Sequence, residues 1–179
     1  HRPAAAVKMV SRGLQSLMTR TARVVMAKDY RSWDAFAAQT HRHAELFEAN
    51  ADWVDDAVLR SLHKVMPRLR AVDLSTGSHL LASRTFHGVR DLVESTSLTA
   101  FHQYYGVTSA ICGIVSAVPL TTLSLNLDYT WAVDALSPLE NHPTLKHLSL
   151  RFEAYAAPEL PVCLPKLETL TVAVGPQTH

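Results

Sequence analysis

LTTLSL (Leu120–Leu125) and LKHLSL (Leu145–Leu150) share one spelling, L-x-x-L-x-L, and the fold is decided by how often it recurs. LRAVDL (Leu69–Leu74) and LETLTV (Leu167–Val172) keep the spelling with valine at one place each. A weaker copy opens at Leu98 and reaches Phe101, but Gln103 stands where the third apolar residue belongs. The leading residues at 69, 98, 120, 145 and 167 give steps of 29, 22, 25 and 22 residues. The second and third apolar positions lie two apart, so in a strand they point to one side, into a core, while the residues around them point the other way. One such strand cannot bury its face alone; several must stack. Pro67, Pro119, Pro143 and Pro165 stand just ahead of four copies. A proline turns its predecessor away from helix, so each marks where a covering segment stops and the next strand starts.

Steps of about 20–29 residues fit a leucine-rich repeat. The expected fold is therefore α/β, an irregular leucine-rich-repeat solenoid: a curved parallel sheet on the concave side, helices and loops on the convex side. Val54, Val58, Leu59, Leu62 and Val65 form one helical face ending before Pro67, with Asp52 as the expected N-cap. Helices are also predicted over 80–93 and 107–117, and a shorter one over 131–136 that Pro138 ends. The stretch from Tyr155 to Leu164, holding Pro158 and Pro161, has room for no more than a turn of helix. Nearer the start, Val7, Val10, Leu14 and Leu17 suggest an amphipathic helix, and Arg23 to Ala27 a strand of unfixed register. Residues 29–50 read as loop and helix, with Trp33, Phe36, Leu46 and Phe47 packing inward. The chain is expected to be a single domain over 1–179, irregular over 1–50 and carrying the main repeats over 51–179.

Composition narrows the function classes. Seventeen basic residues against sixteen acidic ones give a net charge of +1, unlike a nucleic-acid binder or a polybasic membrane anchor. The most apolar run, Val107 to Leu120, is broken by Thr108, Ser109, Gly113 and Ser116 and is too short to span a bilayer. Cys112 and Cys163 form no motif and read as buried small hydrophobes in a reducing compartment, so the expected location is cytoplasmic or nuclear. Because the sequence starts at His1 and ends almost on a strand, it reads as part of a longer chain.

Ten histidines raise the question of a metal. His41, His43 and Glu45 form the only local cluster, but a closed zinc site needs about four ligands and no cysteine is near in sequence, so these read as solvated surface groups. No nucleophile elbow, phosphate-binding loop, dinucleotide fingerprint or zinc-protease helix is spelled out, so no enzyme, cofactor or metal is expected. A hydrolase or metalloprotein built on the histidines is the rival class. The register expected from the repeats puts Asp73, His102, Tyr104, Asn126, His147 and Arg151 on the outward face of the strands. Aromatic and arginine side chains favour interface anchoring, which singles out Tyr104 and Arg151.

The proline-led copies LRAVDL, LTTLSL, LKHLSL and LETLTV resemble the leucine-rich-repeat region of fungal F-box-type proteins, over roughly Arg23 to Val174. That resemblance implies a protein-interaction module that recognises targets for a ubiquitin ligase, with ligase core subunits as partners only if an F-box lies upstream of His1. A stand-alone repeat scaffold is the alternative. Where the standard repeat places Asn or Cys after the third apolar position, this chain has Gly77, Gly106, Asp128, Glu153 and Gly175. The usual polar ladder is thus expected to be missing and the array irregular.

Overall fold

The computed structural model describes residues 23–39, 41–49, 51, 53–74, 86–103, 109–127, 133–152 and 163–174. Their order is β1 (Val24–Met26), a 3-10 turn (Ala27–Asp29), α1 (Trp33–Ala37), β2 (Leu46–Glu48), α2 (Asp56–Val65) and β3 (Ala71–Asp73). Then come α3 (Phe86–Ser95), β4 (Ala100–Gln103), α4 (Ser109–Ser116), β5 (Thr122–Leu127), a 3-10 segment (Val133–Leu139), β6 (His147–Phe152) and β7 (Thr169–Val174). All seven strands form one parallel sheet in strict chain order, β1 to β7.

Register explains the sequence pattern. Val25, Phe47, Val72, Phe101, Leu123, Leu148 and Leu170 lie side by side across the sheet. All but the last are buried, and Leu69, Leu98, Leu120 and Leu145 fill the approach to their strands. A second inward row continues through Leu125, Leu150 and Val172. Helices α2, α3 and α4 and the 3-10 segment place Leu59, Leu62, Val89, Leu92, Ile111, Val115, Leu136 and Leu139 in the same core.

Entry into each strand repeats one hydrogen-bond pattern. The carbonyl of Arg23 accepts from Glu45 and Leu46, that of Glu45 from Arg70 and Ala71, and that of Arg70 from Thr99 and Ala100. Thr99, Thr121 and Lys146 continue the series, each accepting from the two residues that lead into the next strand. Hydroxyls strengthen this side: Thr121 donates to the Thr99 carbonyl at 3.0 Å and Thr144 to the Leu120 carbonyl at 2.8 Å.

Several expectations shift. A strand missing from the sequence reading, β2, occupies Leu46–Glu48, and Leu46 lies half-buried on the outward row instead of packing inward. Asp55, not Asp52, caps α2, its carboxylate accepting from the Val58 N–H at 2.9 Å. The 131–136 helix is a 3-10 segment over Val133–Leu139 that holds Pro138 inside it. Cys112 is buried, but Cys163 is exposed. The leading helix around Leu14, the proline-rich stretch at Pro158 and the turn positions Gly77, Gly106, Asp128, Glu153 and Gly175 lie outside the described residues.

At the β1 end of the core stands an aromatic cluster centred on Phe36. His41 stacks on it at 4.3 Å, while Tyr30, Trp33, Phe47 and Trp53 surround it at 5.1 to 5.8 Å between ring centres. The Trp53 indole N–H donates to the Tyr30 carbonyl at 3.0 Å and so is satisfied at the edge of the cluster. His41 is therefore part of the core, not the solvated surface group its neighbours His43 and Glu45 suggested.

Candidate interaction face

The outward sides of the strands build two rows. The first reads Val24, Leu46, Ala71, Ala100, Thr122, His147 and Thr169; the second reads Met26, Glu48, Asp73, His102, Ser124, Ser149 and Thr171. Neighbouring members stand about 4.8 Å apart across the sheet. Each row is fixed by backbone hydrogen bonds, as where the Asp73 carbonyl accepts from Ala49 at 2.8 Å and the His102 carbonyl from Leu74 at 2.8 Å. The residues of both rows are half-buried or exposed, in contrast to the inward ladder beneath them.

Of the residues singled out from sequence, the register brings Asp73 and His102 together on neighbouring strands of the second row. His147 belongs to the first row, and Arg151 lies farther along β6, opposite Asn126 and Ala173; both His147 and Arg151 are exposed. Asn126 is 2% exposed, so it is buried and not a surface contact. Tyr104 lies outside the described residues. Glu48, Met26 and Val24 were missed, and they give the β1–β2 end of the face an apolar and acidic character. The signal was available in the alternation of VVM and LFE, but Ala27 and Ala49 hold the buried positions where leucine marks the other strands.

Charge runs across the face from Glu48 and Asp73 towards His147 and Arg151. Beside His147, Lys146 and Glu168 are paired at 2.7 Å on the surface. The hydrogen bond and positive charge of Lys146 hold the Glu168 carboxyl below its usual range. Burial pushes the Cys112 thiol up to about 12, which keeps it protonated and inert as a nucleophile. Among the described residues no three His, Cys, Asp or Glu side chains converge as a metal site.

Two grooves of about 530 Å³ each lie away from the outward rows. One, at the strand-entry edge, gathers Glu45, His63, Arg68, Arg70 and Ser97; the other runs between α3 and α4 past Arg90, Val93, Ile114 and Val118. The first mixes both charges with the carboxyl-terminal ends of α2 and α3, and the second is mainly apolar. No protein-family model, curated protein or solved structure matches the chain.

Proposed function

We propose that the chain is a leucine-rich-repeat solenoid acting as a protein-interaction module, with the outward sheet face as its binding surface. The observation that carries this reading is an all-parallel sheet with helices on one side and half-exposed or exposed rows on the other. Parallel sheets are ordinarily covered on both faces. A face whose described rows are half-exposed or exposed, with small and polar groups held in fixed register, suits a macromolecular partner better than a buried substrate. The recurring carbonyl acceptor at positions 23, 45, 70, 99, 121 and 146 supports a repeated unit. So does the pattern of closest contacts, which link successive strands and successive helices.

Within this face, Arg151 and His147 offer exposed anchors, and the reading assigns the protein no catalytic group. Its finer form, substrate recognition for an F-box-type ubiquitin ligase in the cytoplasm or nucleus, is supported by the resemblance of the proline-led copies alone. The test compares binding partners recovered from cells by quantitative mass spectrometry. The double variant His147→Ala, Arg151→Glu should lose partners that Arg90→Glu, on the helical side, retains, with melting temperatures alike. The opposite result would move the binding surface to the helices. Ligase core subunits recovered with the natural full-length protein would favour the ubiquitin reading, and their absence a stand-alone scaffold.

A further inference from the structure

The hydroxyls along the sheet divide into two sets. At the strand-entry edge they are spent inside the fold: Thr99, Thr121 and Thr144 donate to the carbonyls of Arg70, Thr99 and Leu120. On the outward face, the hydroxyls of Thr122, Ser124 and Ser149 make no hydrogen bond with another described residue. These three form one patch, since Ser124 is the register partner of Ser149 and Thr122 stands two residues before Ser124 on β5. Ala71 and Ala100 extend the patch of small side chains to β3 and β4. Small side chains let a main chain come close, and an unspent hydroxyl can both donate and accept. It therefore meets peptide N–H and C=O groups whatever their sequence. Such a floor suits an extended chain, whose amide groups are not already paired within it as they are in a helix.

Charged groups bound this floor on two sides. Glu48 and Asp73 are register partners on β2 and β3, and half-buried Leu46 is the neighbour of Ala71 in the first row. An acidic corner beside an apolar one is complementary to a side chain with an apolar stem and a cationic head, lysine or arginine. His102, half-buried on β4, stands at the boundary between this corner and the floor. On β6, His147 lies two residues before Ser149 and Arg151 two residues after it, both exposed. A guanidinium takes a carboxylate as a bidentate pair, and the imidazole adds a ring nitrogen for a further hydrogen bond.

Taking the outward face as the binding surface proposed above, we infer that it holds an extended peptide laid across the strands. A lysine or arginine of the peptide meets Glu48 and Asp73, and an aspartate or glutamate meets Arg151 and His147. Four strand steps separate β2 from β6 and three separate β3 from β6, about 19 and 14 Å at about 4.8 Å a step. An extended chain advances about 3.3 Å per residue, so the two charges of the peptide stand roughly four to six residues apart. The same peptide laid the other way round puts like charges together at both ends, so one orientation is selected.

The test selects random linear peptides on the immobilised 179-residue chain and measures the enriched sequences by fluorescence anisotropy. Enriched peptides should carry a basic and an acidic residue at that separation and bind more weakly as salt rises. They should bind several-fold more weakly to Glu48→Lys and to Arg151→Glu, with melting temperatures alike. Exchanging the basic residue of the peptide for glutamate should restore binding to Glu48→Lys and abolish it for wild type, a rescue that mere structural damage would not give. Enriched peptides without the charge pattern, or indifferent to both substitutions, would overturn the inference. If Ser124→Trp still blocks such peptides, the outward face stands as the binding surface and only the chemistry of its occupant is wrong; if it does not, both readings fall. Enrichment of no peptide at all would remove the extended occupant, and the recovery of partners from cells would then judge the face by itself.

Discussion

His41 lies inside the aromatic cluster, with Nε2–H donated to the Phe36 carbonyl at 3.1 Å and Nδ1 buried without a hydrogen-bond partner. Burial lowers its affinity for a second proton, outweighing the bond to Phe36. The unfolded chain takes up that proton near the ordinary value of 6.5 while the folded chain resists it. This contribution to stability is therefore full above 6.5 and is lost as the pH falls from there towards the lowered folded value. Denaturant titrations at pH 8 and pH 5 should show the loss, and His41→Phe should flatten it. The phenyl ring keeps the stack and gives up only one hydrogen bond, about 1 kcal/mol. His142 acts differently. Its Nε2–H donates to the Val118 carbonyl at 3.1 Å, and Nδ1 accepts from the Leu145 N–H at 3.1 Å. One ring thus ties the entries of β5 and β6 together. His142→Ala leaves the buried Leu145 N–H unmet, while the Val118 carbonyl keeps its bond from the Leu120 N–H at 2.7 Å, and should cost about 1–3 kcal/mol. Nitrogen NMR should show Nε2 as the donor and Nδ1 as the acceptor of these two bonds. Neither role was legible in the sequence, because burial of a histidine depends on what the fold brings over it.

Among the elements, α2 and α3 approach closely enough that one glycine decides their spacing. A Cβ on Gly88 would meet Asp56 Oδ1 at 2.6 Å and the Asp56 Cα at 2.7 Å, and the Gly88 N–H donates to the same carboxylate at 3.1 Å. On Gly113, in α4, a Cβ would meet nothing within 4 Å. Alanine is about 1 kcal/mol better than glycine inside a helix. Gly113→Ala should therefore stabilise the protein by about that amount, while Gly88→Ala should destabilise it because backbone must move apart. Opposite signs in denaturant midpoints are the expected outcome; equal signs would mean that α2 and α3 do not pack this closely. Element identity was largely legible where leucine marks each position of L-x-x-L-x-L. It failed at β2 because Ala44, Phe47 and Ala49 fill the same three places with smaller or different side chains. The α2 cap was placed at Asp52 because Asp52, Asp55 and Asp56 all precede the apolar face. Only the structure distinguishes the carboxylate that reaches the Val58 N–H.

For the whole molecule, the closest contacts join successive strands and successive helices, so the core is connected as a row and not as a globe. Strain or a cavity should then be felt one strand away and fade beyond that. Leu123 and Leu148 are direct neighbours in the buried ladder, whereas Val72 and Leu148 are separated by three strand steps, about 14 Å. Truncations that share a cavity couple by about 0.5–3 kcal/mol, while those more than about 7–10 Å apart add within about 0.5 kcal/mol. Mild changes keep the chain folded for this comparison, so the cycle uses Leu123→Val with Leu148→Val, and Val72→Ala with Leu148→Val. The first pair should be non-additive in unfolding free energy and the second additive. The outward face gives the matching control: Ser149→Asp should stay within about 0.5 kcal/mol of wild type, while Leu148→Asp, one residue away, should unfold the chain by placing a charge in the ladder. Coupling between Val72 and Leu148 as large as that between Leu123 and Leu148 would mean that the core responds as one body. The proposed stack of repeats would then lose its energetic basis, even with every strand in its place.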